Sequence, residues 1–117
     1  MTAQVKTLAA PTLKETENGV LFLSKLKGDA HGDVPPYQQA AAGDRITLHV
    51  KTSTGNKWEG SHVLTAPEVG KPTIFSIPKS VFEKQLVPRA SADLHYNITP
   101  IGGAPQQSPT LRVQLEP

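Results

Sequence analysis

Strict alternation of apolar and polar residues marks three segments of the chain as strands with one buried face. In DRITLHVKT, Ile46, Leu48 and Val50 fall on one side and Thr47, His49 and Lys51 on the other, the period of two that a half-buried strand requires. DLHYNIT repeats the arrangement with Leu94, Tyr96 and Ile98 against His95, Asn97 and Thr99. TLRVQLE does so with Leu111, Val113 and Leu115 against Arg112, Gln114 and Glu116. Ribbons of this kind need a common interior, which a sheet with one core face provides.

Weaker signals fill the spaces between them. GVLFLSKL, residues 19–26, is apolar without clean alternation and reads as a strand covered on both sides. PTIFSIP, residues 72–78, is a short strand bracketed by prolines that stop further pairing. GSHVLTA reads as the return arm of a hairpin that turns at Gly55-Asn56. Residues 5–13 supply an edge strand interrupted at Pro11, with residues 1–10 a flexible lead-in or part of that edge. PKSVFEKQL carries a short helical turn near residues 79–86, started by Pro78 and Ser80 and stopped by Pro88. DAHGDVPPYQQAAAGD and PIGGAPQQSP are rich in Gly, Pro and small residues and read as loops. The sum is an all-β protein: an immunoglobulin-like antiparallel β-sandwich of about seven strands.

Composition agrees with short strands punctuated by turns, since charged residues are only 19% of the chain and 11 prolines and 9 glycines break it up. A length of 117 residues fits one domain spanning residues 1–117, long enough to bury a core without staples. The net charge of +2 comes from basic residues scattered among acids, which argues against a nucleic-acid face. With no cysteine, a disulfide framework and thiol chemistry are excluded. No basic start followed by an apolar run opens the chain, and no segment approaches the ~20 apolar residues that span a bilayer. The expectation is no membrane insertion, a monomer, and one of two settings: cytoplasmic if the chain is the whole product, or extracellular or at the cell surface as a piece of a larger protein exported by a signal elsewhere.

Three strings carry a family resemblance: AAGDRITLHV, EVGKPTIFSIPKSVFEKQL and ADLHYNITPIGGAPQQSPTLRVQL. Together they resemble one repeat of the bacterial immunoglobulin-like domains that stand in tandem in long surface or secreted proteins of Gram-negative bacteria. The likeness covers residues 9–116 and rests on the turn Ala42-Gly43-Asp44, the Val69 to Pro72 lead-in and the closing hairpin. It implies a non-catalytic module that spaces, presents or adheres, with neighbouring domains of a larger chain or a host or bacterial surface ligand as partner and no cofactor. The chain departs from the pattern at DAHGDVPPYQQ, where such repeats have a clear alternating strand, and in carrying Trp58 across the turn rather than an aromatic at the end of the preceding strand.

The segment HVKTSTGNKWEGSHVL holds the strongest hint of chemistry. A two-residue turn at Gly55-Asn56 sets His49 opposite His62, Ser53 opposite Trp58 and Leu48 opposite Val63. His95, on the strand expected beside it, then shares an outer face with His49 and His62. Three imidazoles on neighbouring strands are within reach of one zinc or copper ion, although three surface histidines are the favoured reading because no carboxylate supports them. Trp58, with Lys57 and Asn56, is the candidate ligand platform for a sugar or a partner's apolar side chain, set against a tryptophan folded over its own hairpin. This autonomous carbohydrate- or protein-binding domain is the alternative to the spacer. Tyr96 resembles the tyrosine corner of immunoglobulin-like folds. No serine lies in a nucleophile motif, and Ser61 and His62 point to opposite faces of one strand, so no catalytic residue is nominated.

Overall fold

The computed structural model describes residues 8–37 and 40–117; residues 1–7, part of the expected edge strand, lie outside them. Two sheets stack into a β-sandwich. The smaller has the order β1 (Thr12–Leu13), β4 (Ala30–Val34), β7 (Thr73–Ile77). The larger runs β2 (Thr16–Glu17), β3 (Val20–Phe22), β10 (Leu111–Glu116), β8 (Ser91–Thr99), β5 (Arg45–Thr52), β6 (Lys57–Val63), with β9 (Gln106–Gln107) also beside β8. Pairing is antiparallel except between β3 and β10. This is the immunoglobulin-like order, with β6 added beyond β5.

The three alternating strands form as the sequence requires. Leu48, Leu94 and Tyr96 are fully buried, with Ile46, Val50, Val113 and Leu115 almost so. Facing them from the smaller sheet are Ala30, Val34, Phe75 and Ile77. The short helix α1 (Lys79–Glu83) closes one end of the sandwich and buries Phe82 completely.

Four sequence expectations are corrected. Ala30–Val34 is a strand, not a loop: it alternates through Ala30, Gly32 and Val34 inward, but its inward residues are too small to register as a hydrophobic stripe. Gly32 is required there, because a Cβ would lie 2.7 Å from Leu48 Cδ2 and 3.2 Å from Ile77 Cδ1. The strand expected over residues 19–26 stops at Phe22, and a 3-10 turn over Leu23–Lys25 then drops Leu23 and Leu26 into the core. The segment PIGGAPQQSP contains β9, paired to Asn97 and Ile98. Between β9 and β10 the pairing slips by one residue, a bulge in which the Ser108 hydroxyl accepts the Tyr96 N–H and the Tyr96 carbonyl accepts the Ser108 N–H. Tyr96, finally, is not a standard tyrosine corner: its hydroxyl donates to the Ala9 carbonyl, 2.6 Å away, and pins the segment before β1 rather than the connection before β8.

The turn Ala42-Gly43-Asp44 is a structural knot. Asp44 is buried, its carboxylate accepts the Tyr37 hydroxyl at 2.6 Å and the Ala41 N–H at 3.1 Å, and Gly43 has φ of +95°. Burial, with the Asp44 carboxylate behind it, pushes the Tyr37 phenol well above its usual range.

The path of the chain fixes the two ends of the sandwich. Residues leading to Thr12 arrive at the Val34 end of β4, and Val34 pairs with Thr73. The other end holds Ile77 with helix α1, the turn after Thr52, and Ser91, past which β10 continues to Glu116.

Candidate functional site

The register of the β5–β6 hairpin decides which side chains meet. Thr52 pairs with Asn56 through its N–H to the Asn56 carbonyl at 2.9 Å, leaving the three-residue loop Ser53-Thr54-Gly55 with Gly55 at φ of +101°. This is a turn whose left-handed position needs glycine, placed third in the loop rather than first. Compared with the two-residue turn expected at Gly55-Asn56, the register shifts by an odd number of residues, and an odd shift sends every side chain of the strand to the other face. His49 therefore faces Glu59, Val50 faces Trp58, and Ile46 faces His62.

The three histidines do not gather. His49 and His95 are directly opposed on β5 and β8 and share the outer face, their rings stacked with centroids 4.8 Å apart and planes 15° apart. His62 points to the inner side at the open edge, where Nε2 lies 2.9 Å from the Glu68 carboxylate. Among the described residues no group of three or more His, Cys, Asp or Glu side chains is arranged to hold a metal ion.

Asn56 and Trp58 also depart from the expected platform. The Asn56 amide donates to the Val81 carbonyl at 2.9 Å and to the Lys84 carbonyl at 2.8 Å, so it satisfies the end of helix α1 and ties the hairpin tip to it. Trp58 is half-buried against the core and lies across Gly60, where an added Cβ would come within 2.6 Å of its Cη2. Lys57 alone of that trio remains exposed, directly opposite Lys51.

What the outer face does assemble is a shallow depression lined by the side chains of His49, Lys51, Lys57, Glu59 and His95. His49 is held from both sides: Nε2 is 3.1 Å from Asn97 Nδ2, which donates to it, and Nδ1 is 3.3 Å from Glu59 Oε1. Because the Asn97 amide nitrogen can only donate, Nε2 accepts and the Nδ1 proton is aimed at the carboxylate. Partial burial, then the neighbouring His49, lowers the pKa of His95. One row along, Asp93 is held below its usual range chiefly by Arg112, whose Nε lies 2.9 Å away. On the other side Thr47 and Ser61 face each other with their hydroxyls 3.1 Å apart.

No family model, curated protein or solved structure matches this chain.

A second groove opens between the edge strands β6 and β7, bounded by Trp58, His62, Glu68 and Ile74. Glu68 Oε1 also accepts the Thr65 N–H and hydroxyl at 2.9 Å each. The Thr65 backbone bond, then the His62 and Thr65 side chains, pull the Glu68 carboxyl down to about 2. A third histidine–carboxylate contact, His31 Nδ1 to Glu15 Oε2 at 2.6 Å, joins the β1–β2 connection to β4. Burial would raise the Glu15 pKa, but the side-chain and backbone bonds from His31 outweigh it and lower the pKa. Sequence reasoning missed Glu59, Glu68, Glu15 and Asn97 as histidine partners. For Glu59 the signal was present in Ser53-Thr54-Gly55, a loop with glycine in third place; the other three depend on contacts between strands or turns with no marker of their own.

Proposed function

We propose that this domain is a non-catalytic structural or adhesive module that spaces or presents neighbouring domains of a larger bacterial surface or secreted protein. The single observation supporting this reading is the path of the chain: it comes in at the Val34 end of the sandwich and leaves β10 at the opposite end, beside Ser91. A module threaded in this way can be strung in line, each copy adding a segment up to about its 48 Å long dimension. Of the side chains expected to bind, Asn56 instead ties the hairpin to helix α1 and Trp58 packs against the core. Small-angle scattering of a directly joined three-copy chain tests the reading. The expected result is a rod whose greatest dimension grows by roughly one module length per copy, whereas a compact particle contradicts it.

A second reading, a carbohydrate- or protein-binding domain, is favoured by the outer-face depression around His49 and His95 rather than by Trp58. A glycan and protein array probed with the wild type, Trp58→Ala and His95→Ala separates them. Binding lost only with His95→Ala supports this location, and retention of all binding removes it.

A further inference from the structure

We infer that His49 and His95 form a two-imidazole site for a divalent ion of borderline softness, Cu(II) binding tightest, with Glu59 as the carboxylate that orients His49. The inference is independent of the spacer role. It stands on three features of the outer face.

The first is register. His49 and His95 are directly opposed on adjacent antiparallel strands, and their rings are already stacked at 4.8 Å. Two nitrogens bound to one ion at ~2.0–2.1 Å lie about 3 to 4 Å apart. Stacked rings hold their lone pairs side by side, so taking one ion turns them out of the stack about their terminal side-chain torsions, which are broad and soft.

The second is the state of the imidazoles. An ion takes the lone pair of a neutral ring, and histidines that ligate metals donate their other N–H to a carboxylate or carbonyl. His49 has that arrangement: Nδ1 faces Glu59 Oε1 at 3.3 Å, which leaves the Nε2 lone pair as the donor atom. Nε2 is occupied by Asn97 Nδ2 at 3.1 Å, a neutral hydrogen bond on the rim that an ion replaces when the amide swings aside.

The third is the donor set. Two imidazoles with water in the remaining positions suit Cu(II), Ni(II) and Zn(II), and the Irving–Williams order puts Cu(II) first. The oxygen-rich cage that Ca(II) or Mg(II) needs is not offered by these side chains. The other two histidines are engaged elsewhere, His31 with Glu15 and His62 with Glu68, on contacts that hold turns in place.

Titration of the full chain with Cu(II) by calorimetry, with the nitrogen couplings of the bound ion read by electron paramagnetic resonance, tests the site. The expected result is one ion per chain with two imidazole nitrogens. His49→Ala and His95→Ala should each weaken it at least tenfold, Glu59→Gln by about tenfold, and His62→Ala should leave it unchanged. Circular dichroism of each variant, with His49→Gln and His95→Gln as milder replacements, separates loss of the site from loss of the fold. Unchanged affinity in folded His49 and His95 variants, or a single imidazole nitrogen in the wild-type spectrum, overturns the proposal.

Discussion

The two faces of the β5–β6 hairpin obey different rules. On the inner face Ile46, Leu48 and Val50 of β5 are sealed by the smaller sheet, while their partners His62, Gly60 and Trp58 on β6 are only half-buried because β6 runs past the edge of that sheet. On the outer face Thr47, His49 and Lys51 meet Ser61, Glu59 and Lys57 through hydroxyls, a histidine–carboxylate contact and two facing lysines. Apolar burial fixes where β5 sits; the polar face follows from it and is free to carry chemistry. The difference teaches that position in a sheet, central or edge, decides whether alternation in the sequence is strong enough to be read.

Substitutions sharpen this contrast. The largest effect is expected from Leu48→Ala, which removes a fully buried side chain and should cost about 2–5 kcal/mol in a denaturant melt; Thr47→Ala, on the opposite face of the same strand, should stay within about 0.5 kcal/mol. Equal losses at the two positions would erase the distinction. Gly32→Val presses a branched side chain against Leu48 and Ile77 and should cost about 1–3 kcal/mol in the same assay. At the hairpin tip, Asn56→Ala leaves the Val81 and Lys84 carbonyls without their amide partner and should cost about 1 kcal/mol. Protection of helix α1 in hydrogen exchange should fall with it.

The smallest effect is electrostatic and belongs to the open edge. Glu68 has a folded pKa near 2, below its usual 4.5, so its contribution to stability is fully present above about pH 4.5 and is lost as pH falls toward 2. Its carboxyl resonance in an NMR titration should therefore move with a midpoint near 2, and His62→Ala should raise that midpoint. A midpoint unmoved by His62→Ala would leave Thr65 as the whole cause.

Much of the architecture was legible because three strands bury one face against a full partner sheet, and alternation then records their depth. Ala30–Val34 was illegible for the opposite reason: close packing of Leu48 and Ile77 demands glycine where an apolar residue would have announced a strand. The hairpin was legible as a hairpin, but not its parity. One misplaced glycine in the loop put His49 and His62 on a common face and hid Glu59. The pairing of His49 with His95 was available from the expected adjacency of their strands. The partnerships of His62 with Glu68 and of His31 with Glu15 were not, since each joins a strand to a turn whose course is set by tertiary packing.

Hairpin parity underlies every assignment of side chains to faces, and a chain without cysteine allows it to be measured by cross-linking. Thr47 and Ser61 are directly opposed, as the three-residue loop requires, so the double variant Thr47→Cys/Ser61→Cys should close a disulfide under mild oxidation. His49 and His62 sit on opposite faces, with His62 paired three residues away at Ile46, about 10 Å along the strand. The double variant His49→Cys/His62→Cys should stay reduced under the same conditions. The reverse outcome, a bridge between positions 49 and 62 and none between 47 and 61, would contradict the register and the site built on it.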